Sequence, residues 1–412
     1  MFESDREAIM RNLKVIIISL LLIAAIFFGI YSGKKEEGVP DVTPVEEVLR
    51  VEGLGIQHES EFGGVYIEMS IDEFNALGFE YGDSVDVVFS NGYELKDIPY
   101  YNGYYVDAGK PLLIAYPGYE YIKAAVNYGD DLWNTAELKI GETHEHEDCL
   151  YDDADLEEHD TASVYLNEKA KYRKIQEARD ISYFDEREKY ETDEIFANFR
   201  NIHMGEIRED VIYRSASPCD NQHNRATYVN DLIEEAAVNC ILNLADNEVK
   251  IERYINADGF SCDYFLSLYN DGKVIPLALN MNYMSDEFAS KIADGFIRMS
   301  EIDGPYLIHC TEGKDRTGFV CMLVEALAKA DYESIKDDYM LTYDNYYKIN
   351  EEKDPEKYQT ILESNLDAMV KFIVNDDSID YKNTDLSSYA RAYLNKAGMS
   401  DEQIDAFLNK IS

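Results

Sequence analysis

From about Thr192 onward the chain alternates between short and long apolar runs, and this constrains its fold more than any other feature. The runs in "DVIYRSASP", "VNCILNLA", "KVIPLAL" and "GPYLIHC" have the length of strands. The stretches "NRATYVNDLIEEAAV", "SDEFASKIADGFIRMSEI" and "TGFVCMLVEALAKA" carry helical spacing. Strands alternating with helices form a mostly parallel sheet flanked by helices. The fold class expected for 192–412 is therefore α/β. The C-terminal third reads as helical. "MSDEQIDAFLNKI" opens on Ser400 as an N-cap, with Glu402 and Gln403 in the first turn.

A different texture precedes this region. From Val48 to Leu138 the sequence is β-rich, and "SVDVVFSNGYEL" alternates apolar and polar residues into an Asn91-Gly92 turn signal. A small barrel or sandwich is expected over 48–191. "YIKAAVNYGDDLW" reads as a short helix packed on it, and "TASVYLNEKAKYRKIQEA" as the return of a last strand. The insertion "GETHEHEDCLYDDADLEEHD" (141–160) reads as a solvated acidic loop. Its His144, His146, Cys149 and His159 match no standard zinc ligand set, and it lacks the glycine of an EF-hand loop. Six cysteines, at 149, 219, 240, 262, 310 and 321, stand far apart and do not describe a disulfide scaffold.

The N-terminus stands apart. "VIIISLLLIAAIFFGIY" (15–31) is apolar except for Ser19 and Gly29, and follows Arg6, Arg11 and Lys14. It sits at the short end of a span, which takes roughly 17–25 residues. No clear cleavage site follows it. The expectation is an uncleaved transmembrane anchor, with 1–14 as a cytoplasmic tail and 32–47 as a tether. The basic flank places the rest of the chain outside the cell membrane as a single-pass protein. Secretion after signal cleavage is the alternative. The formal net charge of -44 argues against nucleic-acid binding. Any anion site must therefore create its own positive field, which is feasible because charges beyond about 8 Å are largely screened at physiological salt.

One junction supplies such a field. "GPYLIHCTEGKDRTGFVCMLVEAL" (304–327) runs from a strand, through a tight loop, into a helix. A loop at that position aims backbone N–H groups at one point, and the helix dipole adds to the field. Cys310 stands at its base. The helix-terminal amides and Arg316 are expected to lower its pKa toward the range of about 3.5–7.5 seen for activated thiols. A thiolate nucleophile and a tetrahedral oxyanion ligand follow. Thr311, Glu312, Gly313, Lys314 and Asp315 are enough to wrap one phosphate, and Arg316 closes the loop by bidentate contact. Gly313 permits the turn, and Gly318 permits close packing where the helix begins. Thr317 is expected to donate its hydroxyl to the Cys310 sulfur. His309 is expected to brace the loop backbone. A P-loop NTPase is excluded because no G-x-x-x-x-G-K-[ST] is present.

"HCTEGKDRTG" resembles the signature of bacterial cysteine-dependent tyrosine phosphatases with an HCxxGKDRTG loop. "FANFRNI", "YRSASP", "LNLADNE" and "DDYMLTYDNYY" resemble that family's flanking segments, so the resemblance spans about 194–412. It implies a cysteine-phosphatase-like fold, a phosphocysteine intermediate, and neither metal nor cofactor. It implies phosphotyrosine or phosphoinositide substrates, and Asp315 as general acid. A short segment, "PGYEYIKAAVNYGDDLW", resembles the C-terminal β-domain of S-adenosylmethionine hydroxide adenosyltransferases. No catalytic partner domain of that kind precedes it, and no activity is carried over.

Alternatives remain open around the loop. Asp286 and Asp271 are rival general acids, although Asp286 also reads as a helix cap and Asp271 as a turn residue. Lys314 either accepts a second phosphate, as on an inositol ring, or only offsets Asp315 and Glu312. Arg214 and Arg225 in "YRSASPCDNQHNR" either line the pocket or carry surface salt bridges. Rival classes are a non-catalytic phosphate-binding surface protein and a rhodanese-like or redox thiol. The β-rich module is expected to be a tether or a partner-binding domain. On that expectation, deleting residues up to about Glu191 leaves small-substrate turnover intact.

Overall fold

The computed structural model describes residues 48–139 and 159–412. The expected tail, anchor and tether, and His144, His146 and Cys149 of the acidic loop, lie outside the described residues. Among the described residues no helix is long and apolar enough to cross a membrane. Val48–Ser412 pack as one compact unit built on two sheets.

The first sheet contains β1 (Arg50–Leu54), β2 (Ile56–Glu59), β3 (Gly64–Ile67), β4 (Ser84–Phe89), β5 (Glu94–Tyr101), β6 (Pro111–Ile114), β7 (Ile122–Val126) and β8 (Ala162–Glu168). Their order is β1-β8-β4-β5-β6-β7-β3-β2, antiparallel except for β5 beside β6. The alternation in β4 appears as burial: Val85, Val87 and Phe89 are buried, while Asp86 and Val88 are partly exposed. Gly92, at φ +91°, turns the chain from β4 into β5. β8 returns to pair with β1 and β4, as its sequence suggested. Ile56 and Val65 from one end of the order share a core with Val164 near the other, so the sheet curls on itself like a barrel.

One expected helix is a strand. "YIKAAV" forms β7 between β6 and β3, with Ile122, Lys123, Ala124 and Ala125 all buried. A strand covered on both faces loses the alternation that marks strands in sequence. Ala124 belongs to the inner core. Ala125 belongs to a separate outer cluster with Tyr101, Leu112 and Ile114. Only Leu132–Thr135 is helical, capped by the Asp131 side chain, which accepts from Asn134 N.

The second sheet contains β9 (Arg200–Ile202), β10 (Ile212–Ser215), β11 (Cys240–Asn243), β12 (Val274–Pro276) and β13 (Tyr306–His309). Their order is β12-β11-β13-β10-β9, parallel except for β9 at the edge. This is the mostly parallel α/β sheet expected from the sequence. The helix Asp315–Leu327 follows β13 and is buried from Thr317 to its end. Ser400 caps the last helix in a reciprocal capping box with Gln403.

The short helix Arg173–Arg179 ties the two sheets together. Ile175 packs on the outer cluster of the curled sheet. Gln176 Nε2 donates to Asn102 Oδ1 at 2.7 Å. On the other side Arg179 Nη2 donates to the Ser364 carbonyl at 3.3 Å. Ser364 lies in a π-helical turn, Glu363–Asp367, a distortion found frequently at functional sites.

Candidate active site

The loop after β13 carries the predicted residues, and each is held for a visible reason. Gly313 has φ +70°, and a Cβ there would come within 2.2 Å of the Ser215 carbonyl oxygen. Only glycine fits both the angle and the contact. At Gly318 a Cβ would meet the Tyr339 ring at 2.5 Å, so this glycine sets the approach of the helix Tyr332–Tyr347.

A buried network clamps the outside of the loop. Arg214 is fully buried; its Nη1 pairs with Asp338 and its Nη2 donates to the Gly313 carbonyl at 2.9 Å. Arg200 Nε donates to the other Asp338 oxygen at 2.6 Å, and its Nη1 to Asn198 Oδ1 at 2.6 Å. Asn198 Nδ2 in turn reaches the carbonyls of Glu312 and Gly313, both at 3.4 Å. Burial works against the Asp338 charge, but the two guanidiniums outweigh it and hold its pKa well below the usual carboxylate range. Arg214 is therefore a brace behind the loop. Arg225 is also buried, with its guanidinium 3.6 Å from the Tyr346 ring centroid and bonded to the Phe184 and Phe196 carbonyls. Neither arginine lines the cavity; Arg214 pairs with the buried Asp338, and Arg225 pairs with the partly exposed Asp185 at 3.4 Å.

His309 is fully buried, and its Nδ1 lies 3.1 Å from the Cys310 carbonyl oxygen. Burial pushes its pKa down to about 4, so the ring is neutral and Nδ1–H donates to that carbonyl. The expected brace on the loop backbone is present. Cys310 itself is 3% exposed at the base of the loop. Cys240 and Cys262 are pushed up by burial, to about 12 and about 11, and are poor nucleophiles.

The inner face departs from expectation in two places. The helix starts at Asp315, ahead of Thr317, so Asp315 and Arg316 belong to its first turn. Thr317 is already inside that turn and fully buried, and among the described residues its hydroxyl makes no hydrogen bond, to Cys310 or to any other group. Arg316 Nη1 donates to the Leu279 carbonyl at 3.2 Å and Nη2 to Thr311 Oγ1 at 3.4 Å, while its Nε is buried without a partner. Lys314 Nζ lies 2.6 Å from Asp315 Oδ2 and 4.0 Å from Glu312 Oε2. Glu312 also accepts from Tyr183 at 3.0 Å and from Tyr347. Burial would raise the Asp315 pKa, but Lys314, then Arg179 and Arg316, outweigh it, and the carboxyl sits below its ordinary range.

A cavity of about 1150 Å³ has Asp315 and Arg316 of the helix's first turn in its wall, but neither Cys310 nor residues 311–314. Asp286 and Asp271 do not line it. Asp286 is the exposed first residue of the helix Asp286–Glu301, whose N-cap is Ser285 and not Asp286. Asp271 caps the end of the helix Asp263–Asn270 and lies 3.9 Å from Lys273. Sequence reasoning missed Asp338, Arg200 and Arg179. Arg200 and Asp338 lie within "FANFRNI" and "DDYMLTYDNYY", where a charge inside a mostly apolar segment was the available signal. Arg179 had no such signal, since it reaches the cavity only through the packing of the two sheets.

Residues 272–411 match the model of the tyrosine phosphatase family. None of the curated proteins matches the chain. Among solved structures, the core catalytic domain of the PP-IP phosphatase SIW14 from S. cerevisiae, in complex with citrate, is similar over 44% of this chain and 94% of that chain, at 20% identity and a TM-score of 0.24. At that score the likeness carries no weight. The resemblance of the N-terminal half to the adenosyltransferase β-domain finds no support in these matches. A thiol at the foot of a helix N-terminus, inside a segment that matches this family, makes the chain a cysteine-dependent phosphatase.

Proposed function

We propose that the chain is a membrane-anchored protein-tyrosine phosphatase acting through a phosphocysteine intermediate. One observation carries the choice of substrate. The cavity beside Arg316 is walled by Tyr101, Tyr104, Tyr105 and Tyr128, while Lys314 is already engaged by Asp315 and Glu312. Aromatic walls favour an aryl phosphate on a peptide over a polyphosphate that would need Lys314 free.

In this reading the Cys310 thiolate attacks phosphorus as the bond to the leaving oxygen breaks. Arg316 and the loop amides, with Thr311, Glu312, Gly313, Lys314, Thr317 and Gly318 shaping the cradle, hold the charge on the transferring group. Asp315 donates a proton to the leaving oxygen. The Asp315 carboxylate then takes a proton from water, which displaces the thiolate and releases inorganic phosphate. Asp315 is ionised in the free protein. A dianionic phosphate beside it raises its pKa and competes for Lys314, which favours the protonated form in the complex. Arg214 and His309 act only by holding the loop.

The anchor reading rests on the 15–31 sequence and places the phosphatase outside the cell membrane. Protease accessibility in sealed vesicles tests that orientation: cleavage of the phosphatase region from the cytoplasmic side alone contradicts it. A phosphoinositide or inositol phosphate substrate is the second reading, kept because Lys314 lies in the loop. The test is hydrolysis of a phosphotyrosine peptide and a phosphoinositide by the full chain in detergent and EDTA, with Cys310→Ser as control. Faster peptide turnover that is lost in the variant supports the proposal. Faster phosphoinositide turnover reverses the substrate assignment, and activity retained by Cys310→Ser removes the mechanism.

A further inference from the structure

The cavity is not built by the phosphatase region alone. Its wall includes Tyr101, Tyr105 and Tyr128 of the curled sheet and Arg179 of the connecting helix, facing Asp315 and Arg316. The Tyr128 hydroxyl accepts from Met281 N at 3.2 Å, which fixes this wall to the loop before the helix Asp286–Glu301. Tyr101, Tyr105, Tyr128 and Arg179 all lie outside the family-matched segment 272–411.

Arg179 is the unusual member. Acidic side chains outnumber basic ones in this chain, 82 to 38. Yet among the described residues the one hydrogen bond the Arg179 side chain makes is the 3.3 Å contact from Nη2 to the Ser364 carbonyl. Its Nε is buried without a partner. Its charge nevertheless reaches Asp315 and Tyr283 in the cavity wall, and Tyr343 outside it. Its Nη1 makes no hydrogen bond among the described residues and, unlike Nε, is not buried, so this guanidinium, in the same cavity as the phosphate-closing Arg316, has a donor left for a charge-assisted bond to a second anion.

We infer that Arg179 is a specificity-determining residue that pairs with an acidic side chain next to the phosphotyrosine of the substrate. The curled sheet then selects substrates as well as packing against the phosphatase. The inference rests on the phosphopeptide reading above. A lysine in that flanking position meets a like charge at Arg179, whereas glutamate gains a charge-assisted pair.

The experiment measures kcat/KM for two phosphotyrosine peptides that differ only in a flanking Glu or Lys, using the full chain in detergent. The expected Glu-to-Lys ratio for the wild type is about 10, equivalent to about 1.4 kcal/mol. Arg179→Lys keeps the ratio above one, Arg179→Gln brings it close to one, and Arg179→Glu inverts it. The change appears mainly in KM. A loss of stability or of loop geometry lowers both peptides together and leaves the ratio untouched, so it cannot imitate this result. A wild-type ratio near one, or a ratio that survives Arg179→Glu, overturns the inference. Failure of the phosphopeptide reading itself looks different: the wild type then hydrolyses neither peptide.

Discussion

The parallel sheet and the curled sheet face the same cavity but equip it differently. The parallel sheet brings charges that are already satisfied from behind: Asp338 is shared between Arg200 and Arg214, and Arg214 grips the Gly313 carbonyl. The curled sheet brings aromatic rings, and the helix leaving it brings an arginine with spare donors. A reacting group must be held in one place, so its support is buried and paired. A selecting wall needs shape and a few polar groups, which rings with polar tips provide. The division predicts which substitutions damage folding, which damage chemistry and which alter only the wall.

The largest effect belongs to the buried support. Arg214→Met leaves Asp338 with one partner fewer, and breaking a buried pair costs about 3–5 kcal/mol. Chemical denaturation should show that loss; a cost below about 1 kcal/mol would place the pair with ordinary surface bridges. Asp315→Asn comes next. It should lower kcat at least about 100-fold for esters with poor leaving groups, and far less for p-nitrophenyl phosphate, whose leaving group needs no proton. Equal losses on both would move the general acid elsewhere.

His309 gives a smaller effect, with a defined sign. Its pKa falls from 6.5 in the unfolded chain to about 4 in the fold, through burial. The unfolded state binds more protons between those values. The stability His309 contributes is therefore present above pH 6.5 and lost as pH falls toward 4. This residue should account for about 2 kcal/mol of the drop between pH 7 and pH 5. In His309→Asn the drop over that interval should shrink by that amount, and an unchanged pH slope would contradict the assignment. The smallest effect lies in the wall. Tyr128→Phe removes the acceptor for Met281 N and should cost about 1 kcal/mol of stability, with kcat nearly unchanged.

Sequence patterns exposed the parallel sheet and its loop because both depend on neighbouring residues. The order strand, glycine-bearing turn, helix is local, and Gly313 and Gly318 do what their positions implied. The start of the helix was misplaced because Asp315 and Arg316 look like loop residues, yet an acid in a first helical turn is favoured by the dipole. β7 carries no strand alternation in its sequence because it is buried on both faces. The clamp at Asp338 and the cleft wall at Arg179 join residues far apart in the chain. Their partners, Arg214 and Ser364, are brought to them only by tertiary packing. The curled sheet's residues also line the cleft, which adds to the expectation of a tether or partner-binding domain a part in forming the cavity.

Rapid acid quench of the full chain during turnover of a phosphotyrosine peptide, followed by mass analysis of the Cys310 peptide, tests the mechanism most directly. The account predicts one phosphoryl group on Cys310 in the wild type and none, with no turnover, in Cys310→Ser. Turnover with Cys310 unmodified, or turnover persisting in the variant, would contradict it.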